Sequence, residues 1–251
     1  MLPGSPRSVP ALLRSLVDDD PTAPRLTFYG GDHARTGERV ELSARVLSTW
    51  VAKTANLLEE EFEVGPGSLV ALDLPTHWKT LVLQLAVWST GAAVRLGADR
   101  PADVLVSADA GVLAGAASRH ASLERVAVAL APLATSFGAP LPDGVLDYAR
   151  VVTGYGDTHA PVRAPGPDDP ALETAQGRTL THPELLDGAA AAGAGWPARV
   201  RLLTDAGPGD VVAGPLAAWA RTGSLVLTPD LATLSASVVA SERTTATLPR
   251  P

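Results

Sequence analysis

The chain has 251 residues, 46% of them hydrophobic, no cysteine and a formal net charge of −7. That length buries roughly 70–75% of the unfolded surface, enough for one large α/β domain or two smaller subdomains. The acidic balance, without a basic cluster or aromatics set among charges, argues against nucleic-acid and anionic-membrane binding, and the lack of cysteine removes disulfides, thiolate metal sites and a thiol nucleophile.

Residues 1–20 lack a basic start, an apolar block and a small-residue cleavage site, so no signal peptide is read there. Leu12, Leu13, Leu16 and Val17 fall at helical spacing, and Asp18-Asp19-Asp20-Pro21 ends that helix. The acidic triplet reads as a solvated helix end in preference to a metal site. Arg25-Leu26-Thr27-Phe28-Tyr29 and Arg39-Val40-Glu41-Leu42 form a pair of short strands around a polar turn. Ser43 stands at an N-cap position. Leu47, Trp50, Val51, Leu57 and Leu58 mark the buried stripe of a long helix to Phe62, stopped by Gly65-Pro66-Gly67.

Leu69 to Leu74 is a strand, and a helix from Thr76 carries Trp78, Leu81, Leu85 and Trp88 to Gly91. Ala92 to Leu96 is the next strand. Strand, helix and strand in so short a span imply parallel pairing with a right-handed crossover. The apolar stretch 81–94 is interrupted by Gln84, Ser89 and Thr90 and is too short to span a bilayer, so a cytoplasmic location is expected.

Residues 103–107 and 126–130 are strand candidates around a helix from Gly111 to Arg119, and the Gly/Pro/Asp-rich stretch 154–170 reads as the main linker. The division expected is therefore an N-terminal α/β subdomain over 1–165 and a second over 166–251. Thr181-His182-Pro183-Glu184 is a capping-box pattern opening a helix through Leu185 and Leu186. Arg199 to Leu203 and Asp210-Val211-Val212 lead to a helix around 216–221, Leu225-Val226-Leu227 is a strand, and a last helix covers 231–240.

Most standard catalytic signatures are missing: no Gly-x-Ser-x-Gly, no His-Glu-x-x-His, no Gly-x-Gly-x-x-Gly and no Gly-Lys-Ser/Thr loop. In Gly65-Pro66-Gly67 and Gly207-Pro208-Gly209 the proline removes an amide that an anion would need. His33, His77, His120, His159 and His182 show no ligand spacing. Asp32-His33 and the Asp157/His159 pair read as turn and linker residues, and Asp168-Asp169 as strand-entry residues. Trp50, Trp78 and Trp88 lie on apolar helix faces; a ligand pocket at Trp196 or Trp219 is the competing use for the other two. Lys53 and Lys79 are the only lysines, so a catalytic lysine has to be one of them.

The order of phrases resembles the N-terminal region of adenylate-forming enzymes, the acyl-CoA synthetases and their relatives. Arg39 to Ser43, Val64-Gly65-Pro66-Gly67-Ser68-Leu69-Val70-Ala71-Leu72 and Thr90-Gly91-Ala92-Ala93-Val94 stand where that family has its hairpin-to-helix start, its Gly-x-x-x-Gly-Asp-x-Val turn-strand and its Gly-Ala strand entry. Asp168-Asp169-Pro170-Ala171-Leu172 resembles the strand entering the family's phosphate loop, and Leu180 to Leu186 the helix start after it. Asp210 to Leu216 resembles its Asp-Val-x-Leu…Pro-Leu segment, Gly223 to Leu227 the following strand, and Glu242 to Thr247 the segment before its adenine pocket. The whole resembles short actinobacterial relatives of that family.

The resemblance implies an α/β fold with parallel-rich sheets flanked by helices, like the N-terminal part of such an enzyme. It also implies what is missing. Active members carry Thr-Ser-Gly-Thr-Thr-Gly-x-Pro-Lys, whose hydroxyls, amides and cation hold the phosphates of ATP. Here the position holds only Glu173-Thr174-Ala175-Gln176-Gly177-Arg178. Thr174, Gly177, Arg178 and Thr181 are the residues left at the phosphate-binding position, expected to be inactive, with Arg178 as the one stand-in for the lysine. No Tyr-Gly-x-Thr-Glu motif occurs, and neither lysine matches the family's catalytic one. The expectation is a noncatalytic protein with no catalytic residue, metal or cofactor, acting on a protein partner or small acyl-type ligand. The alternatives are a split ligase half, using ATP and magnesium once completed by another polypeptide, and a homo-oligomeric assembly subunit.

Overall fold

A computed structural model describes residues 6–31, 37–119, 122–174 and 176–250. They form two compact units, each discontinuous in sequence. One comprises Met1–Ser48, Pro75–Leu81 and His182–Pro251, the other Thr49–Leu74 and Val82–Thr181. Each is built on one parallel-rich sheet with helices.

The first unit opens with helix α1 (Val9–Asp19). Ser8 caps it by accepting the Ala11 amide, and its buried face is Val9, Leu12, Leu13 and Leu16, the spacing of one helical stripe. Asp20 ends it: the Asp20 carboxylate accepts the Thr22 and Ala23 amides, a local turn that competes with further helix. Asp19 bridges Arg25 and Arg199, each at 2.7 Å. The acidic triplet is thus a helix end, and no group of three metal-ligating side chains occurs among the described residues.

Strands β1 (Pro24–Tyr29) and β2 (Arg39–Ser43) pair antiparallel. β10 (Arg201–Thr204), β11 (Ser224–Leu227) and β12 (Ala246–Leu248) join β1 in parallel, giving the order β12-β10-β11-β1-β2. Helix α6 (His182–Ala192) precedes β10. Between β10 and β11 the chain turns through a wide π turn, Val212–Leu216, into the short α7 (Ala217–Ala220). Pro215 lacks the amide an α-helical ladder needs, and Leu216 donates instead to Val211, five residues back, at 2.9 Å. The helix expected over 231–240 is split into a 3₁₀ turn (Leu231–Thr233) and α8 (Ala236–Ser241), because Asp230 and Ser235 each cap a start of their own.

Beneath α8, on a sheet face with Tyr29, Leu203 and Val226, lies a polar network. The buried Glu242 carboxylate accepts from Tyr29 and Arg201 and, at 3.1 Å, from Arg39. Burial alone would raise the Glu242 pKa, but these three donors outweigh it and hold the carboxyl below its usual value.

The second unit carries a seven-stranded sheet ordered β7-β6-β5-β3-β4-β8-β9: β3 (Leu69–Asp73), β4 (Ala93–Leu96), β5 (Val104–Ser107), β6 (Glu124–Ala127), β7 (Val145–Asp147), β8 (Pro170–Glu173) and β9 (Thr179–Thr181). All neighbours are parallel except β8 and β9. β5 is buried along its whole length, as a strand covered on both faces must be. Helix α4 (Ala110–Arg119) closes one core cluster with Leu113 and Ala116 against Ala71, Leu105 and Ala127.

Helices α2 (Ala44–Phe62) and α3 (Trp78–Thr90) each contribute residues to both units. Ser43 caps α2, accepting the Val46 amide at 3.2 Å. The stop is made earlier than the glycines: Glu63 adopts a positive φ of 53° and donates to the Glu59 carbonyl at 3.0 Å, the closure made by one left-handed residue after a helix. Gly91, with φ of 87°, ends α3 as expected. Although α3 is almost wholly buried, no helix among the described residues is long and apolar enough to cross a membrane. After the short α5 (Tyr148–Val151), a strap of chain lies along α2. Lys53 holds the Thr153 and Tyr155 carbonyls and Asp157, and Asn56 holds the Gly156 and Thr158 carbonyls. Residues three apart on a helix share a face, so one face of α2 fastens the whole strap.

Candidate functional site

The segment that sequence singled out is a β-hairpin. β8 and β9 pair Pro170 with Thr181, Leu172 with Leu180 and Glu173 with Thr179. Asp169 stands at the entrance, its carboxylate accepting the Gly166 amide at 2.6 Å and pairing with Arg163 at 2.9 Å. Thr181 ends β9, and α6 begins at the next residue, the buried His182. The connection between β8 and α6 is therefore tight, with a second strand inside it.

The turn consumes its own donors. The Thr174 amide donates to the Arg178 carbonyl at 2.8 Å, the Gly177 amide to the Thr174 carbonyl at 2.9 Å, and the Arg178 amide to the Thr174 hydroxyl at 3.1 Å. Gly177 makes this closure by adopting φ of 77°, a conformation glycine takes without steric cost. A phosphate-binding loop presents such amides outward; here three are directed into the turn. Gly177 and Arg178 are exposed, Thr174 half-buried, and Ala175 lies outside the described residues. Thr174, Gly177 and Arg178 thus share one turn, while Thr181 sits at the far end of β9 against Pro170.

Glu173 faces two arginines beside the turn. Its Oε1 lies 2.6 Å from Arg100 and 4.0 Å from Arg95. The Arg95 side chain is only 4% exposed, and burial pushes its pKa down while Glu173 opposes that shift. Arg95 also donates to the Arg100 carbonyl, and Arg100 reaches the Thr174 carbonyl. Beside these groups is a hollow of about 180 Å³ lined by Ser68, Ala93, Glu173 and Thr179 among others.

No protein-family model matches the sequence. A Mycobacterium tuberculosis (strain ATCC 25618 / H37Rv) protein described as "TIGR03089 family protein" is 41% identical over 249 residues, covering 95% of this chain and 96% of the relative. The chain belongs to the TIGR03089 family.

Solved acyl-CoA synthetases share the fold of this TIGR03089 protein. A Mycobacterium tuberculosis fatty acyl CoA synthetase superposes with a TM-score of 0.68 at 17% identity, covering 94% of this chain and 47% of its own. A Brucella canis acyl-CoA synthetase gives 0.66 at 20%, covering 86% and 42%, and the acetoacetyl-CoA synthetase of Streptomyces lividans gives 0.68 at 18%, covering 89% and 39%. The parallel-rich α/β architecture expected from sequence is the one found. The TIGR03089 chain spans less than half the length of these solved synthetases.

Several of the remaining candidates of the TIGR03089 chain make contacts that hold the fold. Lys53 fastens the strap. Lys79 is buried against the Trp78 ring at 5.5 Å, and burial lowers its pKa against the opposing charge of Glu38. His77 meets the Phe28 ring edge-on at 4.6 Å, His159 lies 3.1 Å from Glu59, and His182 accepts the Val9 amide at 3.4 Å. Asp32, His33 and His120 lie outside the described residues. Trp219 is buried and donates to the Arg25 carbonyl at 3.1 Å, which makes it core, and Trp196 is half-buried. Gly207 and Asp210 bond each other across Pro208, closing that turn on itself. Sequence reading missed Arg95 and Arg100. The available signal was an arginine in the middle of the strand Ala93-Val94-Arg95-Leu96, where a charge has to have a partner.

Proposed function

We propose that this TIGR03089 protein is a noncatalytic relative of the adenylate-forming enzymes, acting by binding a protein partner or a small acyl-type ligand. The observation that carries the reading is the closed turn from Thr174 to Arg178, whose amides bond within the turn beside the Glu173 carboxylate. A triphosphate approaching that turn meets few outward amides, and the nearby Arg100 guanidinium is already taken by the Glu173 carboxylate, so the free donors of an anion cradle are missing. The test is ATP–pyrophosphate exchange by the purified chain across a panel of carboxylic acids. No exchange above the no-enzyme rate is expected, and robust exchange with any acid would overturn the reading.

A second reading is favoured by one observation, the 39–47% of the solved synthetases that the chain spans. It makes the protein the nucleotide-binding half of a ligase completed by another polypeptide. That role requires affinity for ATP, and a ligand that binds only the folded state raises the melting temperature. A flat thermal-shift titration to millimolar ATP with magnesium counts against the split enzyme.

A further inference from the structure

Arg95 is an unusual residue for the centre of a parallel sheet. Its Nη2 donates to the Arg100 carbonyl, its Nη1 lies 4.0 Å from Glu173, and its buried Nε has no hydrogen-bond partner among the described residues. A guanidinium carries five N–H donors, and a buried donor is normally satisfied. Arg100 takes the same Glu173 oxygen at 2.6 Å. A single carboxylate oxygen therefore faces two guanidinium groups, in contact with one and beyond hydrogen-bond reach of the other. The charge of Asp99 also acts on Arg95, but no Asp99 oxygen lies within ion-pair distance of either arginine. Glu173 also lines the hollow of about 180 Å³ with Ser68 and Thr179, which is space into which its side chain can turn.

We propose that Arg95 and Arg100 form an oxyanion site whose standing occupant is the protein's own Glu173 carboxylate, and that an anion of the phosphate class takes its place when Glu173 is removed. Guanidinium groups favour oxyanions that accept from several N–H groups at once, and a tetrahedral phosphate brings more acceptors than one carboxylate oxygen does. This rests on the noncatalytic reading of the hairpin and deepens it, since Glu173 becomes the group that keeps phosphates out.

The experiment is calorimetric titration of inorganic phosphate into the full chain and into Glu173→Gln, at constant ionic strength with chloride as the control salt. Glutamine keeps the shape and removes the charge. Saturable phosphate binding at least tenfold tighter in Glu173→Gln than in the parent is expected, and it should vanish in the Glu173→Gln/Arg100→Met double variant. Equal phosphate response in parent and Glu173→Gln overturns the proposal, as does binding that survives loss of Arg100. If Glu173→Gln fails to fold, Glu173→Ala at the edge of the hollow is read by the same criteria. Turnover in the exchange assay would sink the noncatalytic reading without producing a phosphate isotherm, so the two failures are distinguishable.

Discussion

Thr174 and Arg178 bond each other twice, amide to carbonyl at 2.8 Å and amide to hydroxyl at 3.1 Å. That reciprocal pair turns a short polar sequence into a fixed hairpin end and aims inward the groups a nucleotide would use. The threonine hydroxyl thus serves the turn; in a phosphate loop it would face a ligand.

Thr174→Val tests this role, because it removes the hydroxyl and keeps the branched shape. The Arg178 amide is at the surface and water replaces the lost acceptor, so the expected loss is small, about 0.5–1 kcal/mol. Urea denaturation should show a lower midpoint with an unchanged slope. A stability gain, or ATP affinity appearing in the variant, would contradict the assignment.

Gly223 is constrained more severely. A Cβ built there would meet the Val200 carbonyl at 2.4 Å and the Ala218 carbonyl at 2.7 Å, and backbone atoms cannot rotate away. Gly223→Ala therefore has to push β11 away from the residues before it, at about 1–3 kcal/mol as for other overpacked sites. A melting temperature within a degree of the parent would show the backbone more yielding than the packing indicates.

The fold was legible wherever local chemistry decides structure. The Leu12-Leu13-Leu16 stripe, the Ser43 cap and Gly91 each mark an element boundary with a mechanism in a few residues. Pro215 forced a π turn, and the caps Asp230 and Ser235 divided a helix that apolar spacing alone joins together. β9 was not legible, since Thr179-Leu180-Thr181 holds one apolar residue and becomes a strand only by pairing with β8. The charge of Arg95 was equally hidden. Its partner Glu173 is far along the chain, and nothing local shows that β4 and β8 become neighbours.

Lys53 is one of the chain's two lysines, and its bonds predict a structural phenotype. Lys53→Met releases the Thr153 and Tyr155 carbonyls and Asp157. The pair is partly exposed, so the global loss should stay within about 1 kcal/mol. Local opening is the sensitive readout: hydrogen exchange at residues 153–159 should quicken at least several-fold while β3 and β5 stay protected. Unchanged exchange in the strap would remove the fastening role.

Glu242 provides the pH dependence. Its folded pKa lies below the usual 4.5 despite burial, because Tyr29, Arg201 and Arg39 all donate to the charged form. A depressed folded pKa contributes stability that is present above the unfolded value and is lost as pH falls through the folded one. Glu242→Gln cannot ionise and keeps the size, so it should be less stable than the parent at pH 7 by about 2 kcal/mol, the scale of hydrogen bonds to a charged group. The gap must narrow as pH falls below 4.5, where the unfolded chain's carboxyl takes up its proton first, and narrow fully only once the folded carboxyl is neutral as well. Denaturation midpoints from pH 7 to pH 3 follow this directly. A constant difference across that range would mean that Glu242 acts by packing alone, with its charge contributing nothing to the network that joins α8 to the sheet.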